Sequence, residues 1–362
     1  MPTLLLRFTI ILEDYSLQTV SRNYGPLFHR WLPDGEKDAI VLDTNDSNAK
    51  LKVWFERRGF VDNGWIKFDY ARREVDPEII PMQAILDAGP LEGLLEIQEL
   101  SEEQVAPLRE NKTGDELYIA LGKRVVEKLI FPPVSRFLNI LRTSYGQHWI
   151  RKLEKWDSRK ESLGNYCDME LNLKWSLDGG KAWKPFIPDA RIQRVTVRVM
   201  GPSEFSEYLT EEDWKELAKL TQERFEPSFA AFVLVQAHQF FDQGNLKHAF
   251  IEGVSALELA LNEFIRQKLH GSDSLLGAVS KFQELPLRVQ VITVAAILGC
   301  PLQDIEHTIK AIETRNKIVH EGWNPPDDAK VELSGLLKTV ALLLPGSRFK
   351  FPSANPSNMI MS

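Results

Sequence analysis

Apolar and polar residues alternate along the first stretch of the chain, MPTLLLRFTIILEDY. The apolar positions that share one face of an extended chain are Leu4, Leu6, Phe8, Ile10 and Leu12. A period of two is typical of a strand with one buried face. Because Arg7 and Thr9 interrupt the apolar run, we predict a first β-strand here rather than a signal peptide.

Further strands are predicted before residue 200 by short runs of residues between Asp, Asn and Gly turns. These runs are AIVLDT, AKLKVWFERRGF, GWIKFDY, DMELNLKWSLDGGKAWKPFIP and RIQRVTVRV. From Asp115 to Trp149 the apolar spacing changes to three and four residues, and Pro132 and Pro133 interrupt it. This pattern predicts two helices with a kink or turn between them. The first part of the chain is therefore expected to be α+β, with a small antiparallel sheet.

From Thr210 onward the pattern is helical. Thr210 precedes three acidic residues, as expected for a helix N-cap, and Gly or Pro residues then separate about six successive helices. We predict three parts: an α+β region at residues 1–209, an all-α bundle at residues 210–345 and a flexible tail at residues 346–362.

Composition narrows the class of protein. The chain has 362 residues, of which 43% are hydrophobic, and a formal net charge of −7, so no overall positive field gathers nucleic acid or anionic membrane. The two cysteines, Cys167 and Cys300, cannot form a disulfide framework. No apolar run approaches the ~20 residues of a membrane span. These features predict a cytoplasmic protein with no membrane association.

Two local motifs suggest binding. The stretch SLDGGKAW places Ser176, Asp178, Gly180 and Trp183 at the spacing of an Asp box, which predicts a rigid hairpin and, less readily, a carbohydrate site. The stretch HWIRKLEKWDSRK mixes basic residues with tryptophans, which fits either single-stranded nucleic acid binding or a solvated helix end. The histidines outside the C-terminal motif below show no metal-ligand spacing, and no Walker loop, dinucleotide turn or nucleophile elbow is present.

The most specific pattern lies in ETRNKIVHEGW, near the end of a predicted helix. The apolar seam of that helix comprises Leu302, Ile305, Ile309, Ile312 and Val319. Asn316 occupies the same seam, and Arg315 and His320 flank it, roughly 140° apart around the helix. These polar residues are either reagents or ordinary residues at a helix end.

The long helix before it carries an apolar seam and a stripe of small residues, which predicts close helix packing. The seam is Phe250, Val254, Leu257, Leu261 and Phe264, and the small residues are Ala249, Gly253, Ala256 and Ala260. Ser255, Glu258 and Asn262 form a polar stripe beside them. Glu258 either orients the arginine or histidine of the later helix or belongs to a solvated face.

From Pro227 to about Pro345, the chain resembles the HEPN superfamily. The resemblance depends on the helix order, on GNLKHAFIEGVSALELALNEFI with its Glu258, and on RNKIVHEG, which matches an Arg-Asn-x-x-x-His motif at Arg315, Asn316 and His320. It implies a metal-independent RNA endonuclease that forms a homodimer and needs no cofactor. Arg315, Asn316, His320 and Glu258 are its implied catalytic set, with His320 moving protons and Arg315 clamping phosphate.

The resemblance also implies a role in bacterial anti-phage defence or toxin-like growth arrest. Residues 1–209 are then the sensing or regulatory region, answering a phage-derived trigger or an inhibitory partner protein. Two alternatives remain: a non-catalytic bundle that dimerises or recruits a partner, and a ligand site in the N-terminal sheet region. The nuclease hypothesis predicts that Arg315 and His320 of two subunits share an open cleft, whereas a non-catalytic bundle predicts that they are buried or far apart.

Overall fold

The structure is a computed structural model. It describes residues 2–10, 27–29, 31–55, 85–148, 150, 153, 173–186, 209–268, 276–298 and 302–344. The predicted strands GWIKFDY and RIQRVTVRV, most of the basic stretch that begins at His148, and the tail at residues 346–362 lie outside these ranges. Both cysteines also lie outside them.

The chain divides into two compact units. The first comprises Met1–Ile140, Ile150–Gly201 and Tyr208–Glu226, and the second comprises Leu141–Trp149, Pro202–Glu207 and Pro227–Ser362. The described part of the first unit contains antiparallel sheet and helices, and that of the second is helical. At this level the predicted order, α+β followed by a helical region, is confirmed.

The first unit is built on a sheet whose order is β3-β4-β6-β1-β7-β8, with every neighbouring pair antiparallel. A two-stranded sheet pairs β2 with β5. The strands are β1 (Leu4–Ile10), β2 (Leu27–His29), β3 (Ile40–Leu42), β4 (Ala49–Phe55), β5 (Ile85–Asp87), β6 (Leu91–Ile97), β7 (Lys174–Ser176) and β8 (Lys184–Pro185). The apolar positions predicted for the first strand are buried at Leu4, Leu6, Phe8 and Ile10.

Four α-helices accompany the sheet: α1 (Glu102–Arg109), α2 (Glu116–Lys123), α3 (Phe131–Ser144) and α4 (Glu211–Gln222). Thr210 caps α4 as predicted, because its hydroxyl accepts from the Asp213 backbone N–H and the Asp213 carboxylate accepts from the Thr210 backbone N–H. The sequence predicts a helical domain that begins at residue 210. In the structure, α4 belongs to the first unit, where Trp214 donates to the carbonyl of Asp38 at 3.0 Å.

An aromatic cluster explains why α4 belongs there. Its neighbouring rings lie with centroids 5.6 to 6.4 Å apart, a spacing typical of packed aromatic pairs. The members are Phe28, Phe55, Phe137 and Trp214. Burial of these large rings holds β2, β4, α3 and α4 together.

The sequence predicts a kink or turn at Pro132 and Pro133, and a turn does not form, because the chain stays helical from α2 into α3. A π-helical segment, Arg124–Ile130, joins the two α-helices. A proline has no N–H and its ring crowds the carbonyl four residues earlier, which a wider turn relieves. The two prolines in the first turn of α3 are therefore tolerated without a break.

The described part of the second unit contains six α-helices and one short 3₁₀ turn, Asp327–Ala329. The helices are α5 (Phe229–Asp242), α6 (Leu246–Lys268), α7 (Leu276–Glu284), α8 (Leu287–Leu298), α9 (Leu302–Glu321) and α10 (Lys330–Leu343). The predicted seam and small-residue stripe of α6 are buried at every position. At Gly253, an added Cβ would lie 3.0 Å from Leu336, which shows how closely α10 approaches. Among the described residues, no helix combines the length and the apolar character needed to cross a bilayer.

Candidate active site

Arg315 on α9 pairs with Glu258 on α6. Its Nη2 donates to Oε1 of Glu258 at 2.9 Å, and its Nη1 donates to Oδ1 of Asn316 at 3.1 Å. The Arg315 side chain is 25% exposed and that of Glu258 is 47% exposed, so the ion pair borders solvent. The structure therefore brings three of the four predicted site residues into one hydrogen-bonded group.

The antiparallel course of α6 and α9 produces this pairing. Lys247, at the start of α6, donates to the carbonyl of Gly322 just beyond α9 at 3.1 Å. Glu258 lies further along α6 and contacts Arg315, which lies earlier in α9. The two contacts fix the end of α9 against α6.

His320, the fourth predicted residue, lies in the last turn of α9 and is exposed. Asn316 is also exposed, and the two positions are separated by one turn, about 40° around the helix axis. Within the described ranges, no side chain forms a hydrogen bond with the His320 imidazole. A solvated imidazole one turn from Asn316, to which the Arg315 guanidinium donates, offers groups for proton transfer and for anion binding near the same helix end.

The seam predicted for α9 is wrong near the helix end. Asn316 does not interrupt a buried stripe, because it is exposed, and Val319 is 54% exposed. The neighbouring helices cover the other side of the last turns, at Thr314 and Ile318. Asn316, Val319 and His320 consequently form an open surface.

The segment after α9 completes this surface. Gly322 has φ +68°, and its N–H donates to the carbonyl of Ile318 at 3.1 Å, which is a left-handed helix C-cap. Trp323 follows and is 36% exposed. The ammonium group of Lys317 lies 5.7 Å from the centroid of its ring. Sequence reasoning missed Trp323, although a tryptophan immediately after a glycine cap is a visible signal.

The predicted Asp-box hairpin forms in the first unit. Asp178 Oδ1 accepts from the Ser176 hydroxyl at 2.6 Å and from the backbone N–H groups of Lys181 and Ala182 at 3.0 and 3.1 Å. The bond from Ser176 is the largest cause of a lowered pKa of Asp178. Gly180 has φ +87°, as the predicted turn requires. These contacts lie within the hairpin and give it a structural role.

Two histidines that lie far apart in sequence stack in the second unit. The rings of His148 and His238 have centroids 4.2 Å apart and planes 20° apart. Desolvation lowers the pKa of His238 to about 4 and that of His148 well below its usual range, and His238 and Arg142 lower the pKa of His148 further. No spacing rule connects residues so far apart, so sequence reasoning did not find this pair.

The described ranges contain no group of three or more His, Cys, Asp and Glu side chains that could hold a metal ion. Comparison of the chain with protein-family models, with curated proteins and with solved structures gave no match. The relation to the HEPN superfamily therefore stays a prediction, based on the motif residues and on the helical order.

Proposed function

We propose that the helical region is a metal-independent endoribonuclease of the HEPN type that acts as a homodimer. The proposal is carried by the exposed His320, which lies one helical turn after Asn316, a member of the bonded group that also contains Arg315 and Glu258. Solvent access to these residues favours a site for a large substrate.

In the proposed reaction, a neutral His320 removes the proton from a ribose 2′-hydroxyl. The 2′-oxygen then attacks the adjacent phosphorus while the bond from phosphorus to the 5′-oxygen breaks. The leaving oxygen takes up a proton from the protonated His320 of the second copy. Arg315 stabilises the negative charge that develops on the phosphate oxygens, through N–H groups that Glu258 and Asn316 leave free. The products are a 2′,3′-cyclic phosphate and a free 5′-hydroxyl, and no step consumes water.

The homodimer is proposed to form through the open end of α9. Val319 is 54% exposed beside Asn316, and an apolar side chain at this place is suited to contact its own copy across a two-fold axis. Val319→Glu is expected to convert a dimer to a monomer in light scattering, while the unfolding midpoint stays unchanged. A wild-type protein that is monomeric at every concentration contradicts this part of the proposal.

The proposed biology is anti-phage defence or growth arrest through RNA cleavage in the cytoplasm. The α+β region at residues 1–209 is then the sensor, responding to a phage-derived trigger or to an inhibitory partner protein. The sensing role of residues 1–209 is supported by the resemblance to the HEPN superfamily.

The experiment compares wild type with His320→Ala and Arg315→Ala, using total RNA in EDTA and cell growth on induction. Arg288→Ala is a matched control. Arg288 is an exposed arginine on α8 that pairs at 3.6 Å with Glu313 of α9, the helix that carries Arg315 and His320. We expect cleavage by wild type and Arg288→Ala, and none by the two site variants. Equal behaviour of all four proteins would reject the proposal.

A non-catalytic module that dimerises or recruits a protein is the second candidate. The outer face of α8 favours it, because Val289, Ile292 and Ile297 are 41%, 45% and 64% exposed. Exposed apolar residues repeated along one helix face are typical of an interaction surface. This candidate predicts intact partner binding in His320→Ala and its loss in Ile292→Glu.

A further inference from the structure

We infer that Trp323 is a stacking platform for an unpaired base of single-stranded RNA next to the cleaved bond. This inference deepens the proposed function and rests on it, since the base is placed relative to His320. It assigns a role to a residue outside the Arg-Asn-x-x-x-His motif.

Backbone geometry holds Trp323 beside the last turns of α9. The left-handed conformation of Gly322 turns the chain back, and the Trp323 N–H donates to the carbonyl of Lys317 at 3.5 Å. Lys247 holds the Gly322 carbonyl from α6 at 3.1 Å. Two helices therefore fix the starting point of the Trp323 side chain.

The Trp323 ring is linked through Lys317 to the motif residue His320. Lys317 Nζ lies 5.7 Å from the ring centroid. Lys317 and His320 are three positions apart on α9, which makes them neighbours on the helix surface, about 60° apart around the axis. The ring, the ammonium group and the imidazole are thus consecutive along one face.

These groups match a nucleotide in single-stranded form. The Trp323 ring is 36% exposed, and Lys317 Nζ lies over one of its faces, so the base is assigned to the opposite face; every base presents a flat face to such a ring. The ammonium group of Lys317 is then available to the phosphate of the stacked nucleotide. A base inside a duplex is already stacked on both sides, so the arrangement selects unpaired RNA.

The charge of the surface around His320 is not sufficient to attract RNA. Glu321 adjoins His320, and Glu258 neutralises Arg315. The surface around His320 therefore has little excess positive charge with which to attract a phosphate chain. A stacking contact supplies affinity that does not depend on that balance.

The test measures binding of a fluorescein-labelled single-stranded RNA of twelve nucleotides, and of its duplex, by fluorescence anisotropy. The full chain with His320→Ala is the background, into which Trp323→Ala, Trp323→Phe or Phe229→Ala is introduced. Phe229 is a matched control, because it is an aromatic residue of the second unit that is 68% exposed.

We expect Trp323→Ala to weaken single-strand binding about ten-fold, and Trp323→Phe less than about three-fold. Duplex binding and the Phe229→Ala variant are expected to stay unchanged. The inference is overturned by unchanged binding in Trp323→Ala, by an equal loss on the duplex, or by an equal loss in Trp323→Phe. Absence of single-strand binding in the background protein also overturns it.

If the nuclease proposal is wrong, the measurements differ from those expected if the stacking platform is wrong. Cleavage is measured separately, on wild type with Trp323 intact. A wild type that cuts no RNA while Trp323→Ala still weakens single-strand binding rejects the nuclease and keeps the binding site. A wild type that cuts RNA while Trp323→Ala binds normally rejects the platform and keeps the nuclease.

Discussion

Glu258 and Arg315 form an ion pair of 2.9 Å between α6 and α9, and the second terminal nitrogen of Arg315 bonds to Asn316. Two of the five N–H groups of the guanidinium group are thus used. A phosphate group that binds the remaining N–H groups of Arg315 approaches the carboxylate of Glu258, whose negative charge opposes it. Glu258 therefore positions Arg315 and also competes with the ligand.

This competition predicts a split between the kinetic constants of Glu258→Gln. Loss of the carboxylate leaves Arg315 less well oriented, so kcat is expected to fall about ten-fold. KM is expected to fall or stay constant, because a negative charge near the substrate is removed. Steady-state cleavage of a defined RNA in EDTA measures both. Glu313→Gln, which lies on α9 with Arg315, is the control. A raised KM in Glu258→Gln argues against the competition.

The stacked pair His148 and His238 predicts an acid-sensitive second unit. The folded pKa of His238, about 4, lies below its unfolded value of about 6.5. The contribution of this histidine to stability is therefore fully present above pH ~6.5 and is lost progressively as the pH falls toward ~4. The expected loss is on the order of 3 kcal/mol.

Chemical unfolding at several pH values measures this loss. His238→Phe keeps a ring at the stacked position and is expected to flatten the pH dependence, whereas His320→Ala, at an exposed position, is expected to leave it unchanged. Parallel curves for wild type and His238→Phe would show that the fold does not depend on a neutral His238.

Gly335 predicts a strong steric effect in α10. A Cβ at this position would lie 2.4 Å from the Cβ of His307 on α9. Alanine raises helix propensity by about 1 kcal/mol relative to glycine, but overlap in a packed interface costs about 1–3 kcal/mol or more. We expect Gly335→Ala to lower the free energy of unfolding by about 2 kcal/mol. Gly114→Ala, with no atom within 4 Å of its added Cβ, should change it little.

Substitution of Gly322 is expected to change stability through backbone conformation alone. An added Cβ would meet nothing within 4 Å, so the positive φ is the only obstacle to substitution. Gly322→Ala is expected to destabilise the protein by about 1 kcal/mol. Gly322→Asn is expected to cost less, because asparagine adopts the left-handed conformation more readily. Thermal unfolding distinguishes the two variants, and equal losses would show that the cap is not the cause.

Sequence patterns predicted the elements whose burial follows one regular period. Alternation located β1, and the spacing of three and four residues located the buried face of α6, because each of these elements is covered along the length the pattern describes. The N-cap at Thr210 was predictable for a local reason, since its partner Asp213 lies one turn away.

The features that sequence patterns did not predict depend on which residues the neighbouring helices cover. The apolar period of α9 continues to Val319, but the covering helices do not, so Asn316 and Val319 are exposed. The stacking of His148 on His238 requires the full tertiary fold. The motif identified Arg315 and His320 as candidates, but only the structure shows that Glu258 is the partner of Arg315.

The hairpin of β7 and β8 illustrates what a short motif says about descent. The hydrogen bonds that Asp178 accepts come from residues between Ser176 and Ala182, so a few neighbouring residues specify the turn. Such a turn keeps its shape wherever a sheet offers two antiparallel strands. Two proteins with this box therefore share a way of reversing the chain, whatever the folds that surround it.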